Sequence, residues 1–405
     1  MPPETPFDLK FTSREVTAWG GLALLKRMLD GMGFKEALKS WDLPQPGSNR
    51  GYAPEQLIEQ MIVSIWCGAA RFAHADITRL DSTLVRLFGW GKAAGHKAIV
   101  RLFQRFDQPS ASRVQSSSYR WLFDKLQFNP ITLDVDSTVL TRWGSQIEGG
   151  AKGYNPKNKG RASHHPLLAF VADWRLVANF WLRPGNTASS NNIEGFIEST
   201  LENLGATKVG LFRADSGFYD KTIVTLLKAK KISHIISARL THALQQSIVD
   251  QCKWQQVEVG LEVSELSYQP HGWGTPQRLV VVRQHIKRKN GAVAGKTLSL
   301  FADDPDLQGW RYGAMLTGLE HSGAGGVAPV PRACRLREPD QGAQGGLWLG
   351  QLCVARLLGY RGGTGGDDAG LQLDECISPC RDAPKGASHS INAAPPGAGC
   401  GGTVG

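Results

Sequence analysis

Cysteine is scarce where this chain has the composition of a folded protein: of seven, only Cys67 and Cys252 precede residue 320. That excludes a disulfide framework and points to a reducing cytoplasm. Cys376 and Cys380 have no second Cys or His pair at zinc-site spacing, so they predict no metal centre. No apolar run approaches the roughly eighteen residues of a membrane span, so no membrane partner is expected. The start, Met1-Pro-Pro-Glu-Thr-Pro6, lacks the basic-then-apolar order of a secretory leader. Acidic residues are also short, with 36 Asp+Glu against 46 Lys+Arg, a formal charge of +10. Residues 321–405 hold seven of each sign, so the whole excess lies in the first 320 residues. A polyanion, nucleic acid before membrane, is the partner this balance fits.

Helical spacing dominates the first third. Gly20–Leu29 carries it, and after Pro44, Pro46 and Gly47 a second helix is predicted near Ala53-Pro54-Glu55, with proline in its first turn. Leu57, Ile58, Met61, Ile62, Ile65 and Trp66 continue that apolar face. Ala75–Phe88, Lys97–Phe106 and Tyr119–Leu126 read as further helices. In Lys97–Phe106, Arg101 and Arg105 stand four apart on one helical face, either a DNA-contact helix of helix-turn-helix type or a solvated edge of a bundle.

The pattern changes at Ile131-Thr-Leu-Asp-Val-Asp-Ser-Thr-Val-Leu140, an alternation of apolar and polar residues that predicts a half-buried strand with Asp134 and Asp136 on one face. A second short apolar strand, Val209–Ala214, ends at Asp215 and Gly217. Each aspartate alone could cap a strand end or start a turn. Together, two acids on strands separated by a basic loop suggest carboxylates converging on a metal. That loop, residues 141–165, interleaves Lys152, Lys157, Lys159 and Arg161 with Gly149, Gly150, Gly153 and Gly160, and ends at His164 and His165. Glycines let backbone amides approach phosphates while the cations neutralise them; solvated loop charge is the alternative. For the two histidines a hydrogen-bonded structural role is expected, with phosphate screening the alternative for one of them.

Pro166–Asp173 and Leu176–Leu182 form a predicted strand pair, followed by a helix over Asn191–Leu204 with Ser190 or Asn191 as its cap. A helix over Lys221–Lys231 and a strand at Ile232–Ile236 follow the Asp215 strand. Between Trp254 and Ala302 the chain reads as antiparallel β structure, with Asn290-Gly291 a hairpin turn, and Trp310–Thr317 returns as a strand.

Several motifs in this order resemble insertion-sequence transposases with an RNase H-like DDE catalytic domain. They are Asp136-Ser137-Thr138, Gly153-Tyr154-Asn155-Pro156-Lys157, His164-His165-Pro166-Leu167, Arg183-Pro184-Gly185-Asn186-Thr187, Ala214-Asp215-Ser216-Gly217-Phe218-Tyr219 and Tyr312-Gly313-Ala314-Met315. The resemblance runs from about Phe7 to Glu320. It implies an α/β fold: an RNase H-like mixed sheet flanked by helices, with an N-terminal helical domain and a β-rich insertion. The corresponding expected segments are 1–128 (helical, DNA-binding), 129–239 (first part of the core), 240–303 (insertion), 304–320 (return strand) and 321–405 (tail). It further implies metal-dependent phosphodiester cleavage and strand transfer on double-stranded DNA, with Mg²⁺ or Mn²⁺ held by Asp136 and Asp215, and a homodimer on DNA as the assembly to consider. Asp136 fits the family's Asp-x-Thr pattern; Asp134 is the runner-up on the same face.

The family's third acid is not where its helix should be. After Ser322 helical periodicity ends, and glycine supplies nineteen of the last eighty-five residues. Shifted by one base, with permitted synonymous codons, Val330–Gln344 can read Tyr-Arg-Gly-Arg-Ala-Asp-Cys-Glu-Asn-Arg-Ile-Lys-Glu-Leu-Lys, the family's Tyr, Arg, Glu and Lys at the family's spacing. The expectation is a frame change just after residue 320, leaving this copy inactive, with residues 323–405 forming no docked helix. Two other classes stay open: a nuclease of the same fold using Glu320 or Glu338 as third acid, and a non-catalytic DNA-binding remnant.

Overall fold

The computed structural model describes residues 15–48, 51–126, 130–144, 147–156, 158–172, 174, 176–285 and 310–319. The chain divides into two compact units, one ending at Val114 and the next beginning at Gln115. The predicted Asn290-Gly291 turn, the strand at 297–301 and everything after Leu319 lie outside the described residues. Among the described residues no helix is long and apolar enough to cross a membrane.

The first unit is helical. Helix α1 (Leu22–Gly31) buries Leu22, Leu25 and Leu29, and α2 (Phe34–Ser40) buries Phe34 and Leu38. Helix α3 (Pro54–Trp66) starts on its proline, as predicted, and sets Leu57, Ile58 and Met61 in the core. The segment predicted as one helix over 75–88 is two, α4 (Ala75–Thr78) and α5 (Ser82–Leu87). Asp81 divides them: its carboxylate accepts the Leu84 N–H at 2.9 Å and starts the second. Helix α6 (His96–Phe103) buries Ile99, Leu102 and Phe103. It stops before Arg105, whose N–H closes a turn on the Leu102 carbonyl. Arg101 and Arg105 are therefore both exposed but do not share a continuous helical face, which corrects the sequence reading. Helix α7 (Gln108–Lys125) is longer than the predicted Tyr119–Leu126 and spans the boundary between the units.

Among the described residues the second unit is built on a nine-stranded sheet. Its strands are β1 (Ile131–Ser137), β5 (Leu167–Val171), β6 (Leu176–Trp181), β7 (Val209–Ala214), β8 (Ser233–Ser237), β9 (Gln255–Glu258), β10 (Leu261–Tyr268), β11 (Gln277–His285) and β12 (Trp310–Thr317). They run in the order β6-β5-β1-β7-β8-β12-β11-β10-β9. The first five of these form the RNase H-like arrangement: an antiparallel β6-β5-β1 set, then β7 and β8 parallel to β1. The strands from the 255–285 stretch join the same sheet through β12, which pairs antiparallel with β8 and with β11.

Helix α8 (Ile193–Leu204) buries Phe196 and Ile197, with Phe196 meeting Trp181 edge-on at 5.4 Å. Neither Ser190 nor Asn191 caps it. The N-cap is Asn192 in the left-handed conformation, with no side-chain capping bond; the Ser190 carbonyl accepts the Ile193 N–H and the Asn191 carbonyl accepts from Arg183. Helix α9 (Lys221–Ala229) is capped by Asp220 and buries Ile223, Val224 and Leu227, while α10 (His242–Gln251) is capped by Thr241.

The basic segment after β1 is not a plain loop. It holds a small sheet of β2 (Leu140–Thr141), β3 (Ala151–Lys152) and β4 (Ala162–His164), ordered β2-β4-β3. Strands of two or three residues are too short to leave an alternating pattern in the sequence.

Candidate active site

Burial alternates along β1: Ile131, Leu133 and Val135 point into the core, and Thr132, Asp134 and Asp136 to the opposite face. Val135 pairs in parallel with Ala214, so Asp136 and Asp215 occupy the next position on two adjacent strand ends. The Ser137 N–H donates to Asp136 Oδ1 at 2.7 Å, and the Gly217 N–H to Asp215 Oδ1 at 2.8 Å. Asp215 thus caps the short 3-10 turn Ser216–Phe218, the turn role that its sequence context also allowed. A Cβ on Gly217 would lie 2.9 Å from Asp215 Oδ1 and 3.1 Å from Ser189 Oγ, so a larger residue there would have to push one of these side chains aside. Desolvation, reinforced by the charges of Asp215 and Asp134 and opposed by the Ser137 N–H, pushes the Asp136 carboxyl up to about 6. Solvent still reaches Asp136, which moderates that desolvation.

Asp134 has a different task. Arg213, its partner across the β1–β7 pair, donates to it from Nε at 2.5 Å and from Nη2 at 2.6 Å. This bidentate pair occupies both oxygens and favours Asp136 over Asp134 as a metal ligand.

A buried polar frame holds the loops around the two acids. The His165 Nδ1 lies 2.6 Å from the Thr187 carbonyl, which can only accept, so that nitrogen carries the proton. Nε2 then accepts from Ser137 Oγ at 3.1 Å, and Ser137 Oγ in turn sits 2.9 Å from Ser189 Oγ. His164 is also structural: its ring bridges Arg142 Nε and the Glu148 carbonyl. Arg183, buried, donates from Nη1 to the carbonyls of Ala188 and Asn191 and from Nε to that of His165. Burial lowers its guanidinium to about 10. Both histidines therefore serve the scaffold, and the motif around Arg183 fixes the loop that carries Ser189.

Sequence reasoning missed Arg239. This exposed residue donates from Nε to the Ser216 carbonyl at 2.9 Å, which sets a cation beside the Asp215 turn. It belongs to no motif, and only the parallel β7–β8 pairing brings it there. Of the predicted DNA contacts, Lys152, Lys159 and Arg161 are exposed on or beside the small sheet, and the Arg161 guanidinium lies 4.7 Å from the centroid of the Trp143 ring. Lys157 lies outside the described residues, as do Glu320, Glu338 and the expected third acid. Arg101 and Arg105 belong to the first unit.

A 3-2-1-4-5 mixed sheet with acids at the adjoining ends of its first and fourth strands defines the RNase H-like DDE class. The sequence matches the family described as transposase DDE domain, group 1, over residues 4–301, and the chain belongs to that family. Comparison with curated proteins gives no match. Among solved structures, the chain is similar to the cryo-EM structure of a piggyBac transposase synaptic complex with hairpin DNA. The two share 11% identity over 77% of this chain and 65% of that one, with a TM-score of 0.37.

The family generally works with a divalent metal. The site's chemistry fits one in part: the donors are oxygens only, and desolvation, with the charges of Asp215 and Asp134 adding to it, raises Asp136. Among the described residues no group of three or more His, Cys, Asp or Glu side chains comes together in a way that could hold a metal ion.

Proposed function

We propose that the chain is the transposase of an insertion sequence, built for metal-dependent phosphodiester cleavage and strand transfer at transposon ends. The observation that carries this reading is the side-by-side exit of Asp136 and Asp215 from parallel strands. In it, Asp136 and Asp215 hold the metal, Mg²⁺ or Mn²⁺. The Ser137 and Gly217 amides fix the angle of each carboxylate. Bound divalent ions would neutralise the paired acids and supply Lewis-acid stabilisation at the scissile phosphate. Lys152, Lys157, Lys159 and Arg161, with Arg101 and Arg105 of the first unit, neutralise backbone phosphates of double-stranded DNA. Two copies of the chain on one DNA are the expected assembly.

The chain as written lacks the third acid in frame, so metal binding is weak and strand transfer is lost. In this reading the acid and its helix are encoded after residue 320 in another frame. The test is an end-cleavage assay with Mg²⁺ on three proteins: the chain as written, and versions with one base deleted or two added just after codon 320. Cleavage by a restored chain, abolished by Asp136→Asn or Asp215→Asn, is the expected result. If neither restored chain cuts while the written chain does, the frame account fails and a nuclease with another third acid takes its place.

A further inference from the structure

Two of the largest exposed aromatics in the described structure stand within the basic segment. Trp143 is 59% exposed and Tyr154 71% exposed. They flank the small sheet: Trp143 follows β2, and Tyr154 follows β3. Asn155 and Asn158, just beyond Tyr154, both donate to Thr141 Oγ1 at 3.1 Å, which ties the two flanks together. Lys152 and Lys159 are exposed nearby and make no ion pair among the described residues.

A tryptophan kept for packing is normally covered. The second unit has such a case: Arg283 lies between Trp254 and Trp310, 4.3 Å and 4.6 Å from their centroids, and is itself paired with Glu262. Trp143 differs. One cation, Arg161, rests on it without an acidic partner among the described residues, and more than half of the residue's surface remains in water. Exposed rings beside unpaired cations are what a single nucleic-acid strand requires, since every base offers a π-face and every linkage a negative charge.

We infer that Trp143, with Arg161 and Tyr154, is a stacking site for unpaired bases of single-stranded DNA, beside a duplex held by the lysines. This rests on the DNA-binding reading above but names a different ligand, a base without its partner. Trp143 follows the β1–β2 segment directly, so the site lies only a few residues along the chain from Asp136. An unpaired end lodged there is tethered near the strand that carries the candidate ligand.

The experiment compares binding of a blunt duplex with the same duplex bearing a short unpaired 3′ end that contains 2-aminopurine, using the full chain. Trp143→Ala should weaken binding of the unpaired-end DNA about tenfold or more and abolish the quenching of 2-aminopurine, while blunt-duplex affinity changes by less than about twofold. Trp143→Phe should keep most of the preference, and thermal melts should show both variants folded. Equal effects of Trp143→Ala on the two DNAs, or none on either, would overturn the inference while leaving DNA binding intact. If the unaltered chain binds neither DNA, the DNA-binding reading fails first and the inference fails with it.

Discussion

Gly153 lies so close to Gly185 that a Cβ on the first would sit 1.9 Å from the carbonyl oxygen of the second. The reverse is nearly as tight, because a Cβ on Gly185 would meet the Ser163 and Ala151 carbonyls at 2.3 and 2.4 Å. Two motifs well separated in sequence are thus two sides of one backbone approach, which seats the basic small sheet on the loop after β6. Gly153→Ala or Gly185→Ala should therefore cost about 1–3 kcal/mol or more and disorder the basic sheet. Gly160→Ala, where a Cβ meets open space at a φ of +78°, should cost only backbone strain, about 1–2 kcal/mol. Urea denaturation of the three variants checks the ranking.

The two aspartates of β1 should separate cleanly on substitution. Asp134→Asn breaks a bidentate pair and leaves Arg213 without that partner, so it should lower stability by roughly 1 kcal/mol or more. Asp136→Asn removes a repelled carboxylate and should leave stability equal or higher, while abolishing metal binding. Thermal melts with and without Mn²⁺ distinguish the two.

The raised Asp136 also sets a pH dependence. Its folded-state pKa, about 6, lies above the ordinary value of 3.8, so between those limits the folded chain binds more protons than the unfolded one. This group's effect on stability must then decline as pH rises from about 4 to about 6 and stay level above that. Asp136→Asn should flatten that part of the curve. Metal binding runs the opposite way, strengthening as pH rises through 6, because the ion displaces the proton. Melting temperature and Mn²⁺ affinity measured across pH 4–8 test both signs.

Charge removal from the small sheet should act uniformly on duplex DNA. Replacing Lys152, Lys157, Lys159 and Arg161 by Ala should weaken binding of unrelated sequences alike. It should also shallow the slope of log affinity against log salt by about 0.9 for each phosphate that is no longer neutralised. A sequence-selective weakening with an unchanged slope would rule out phosphate binding by these side chains.

Much of this arrangement is legible in the residues. The alternation that begins at Ile131 gives both the strand and the face of its acids, because a half-buried strand must alternate, and the short apolar run from Val209 gives a second strand, although only Phe212 of it is buried. The two- and three-residue strands within 140–164 leave no period to read. Arg239 and the Arg213–Asp134 pair depend on strand register, which sequence spacing does not encode. The histidines fit phosphate screening and scaffold alike until their partners, Thr187, Ser137, Arg142 and Glu148, are in place. Helical spacing carries Arg105 one turn too far, because its apolar neighbour Phe106, buried in the turn, mimics a continuing helix.

The central claim is that Asp136 and Asp215 together hold a divalent ion. Fe²⁺-directed hydroxyl-radical cleavage tests it most directly, since it reports where a weakly bound ion sits. The account predicts backbone cuts around residues 134–138 and 213–218, suppressed by excess Mg²⁺ and absent from Asp136→Asn and from Asp215→Asn. Cuts at one of these strand ends without the other, or a pattern unchanged by both substitutions, would contradict it.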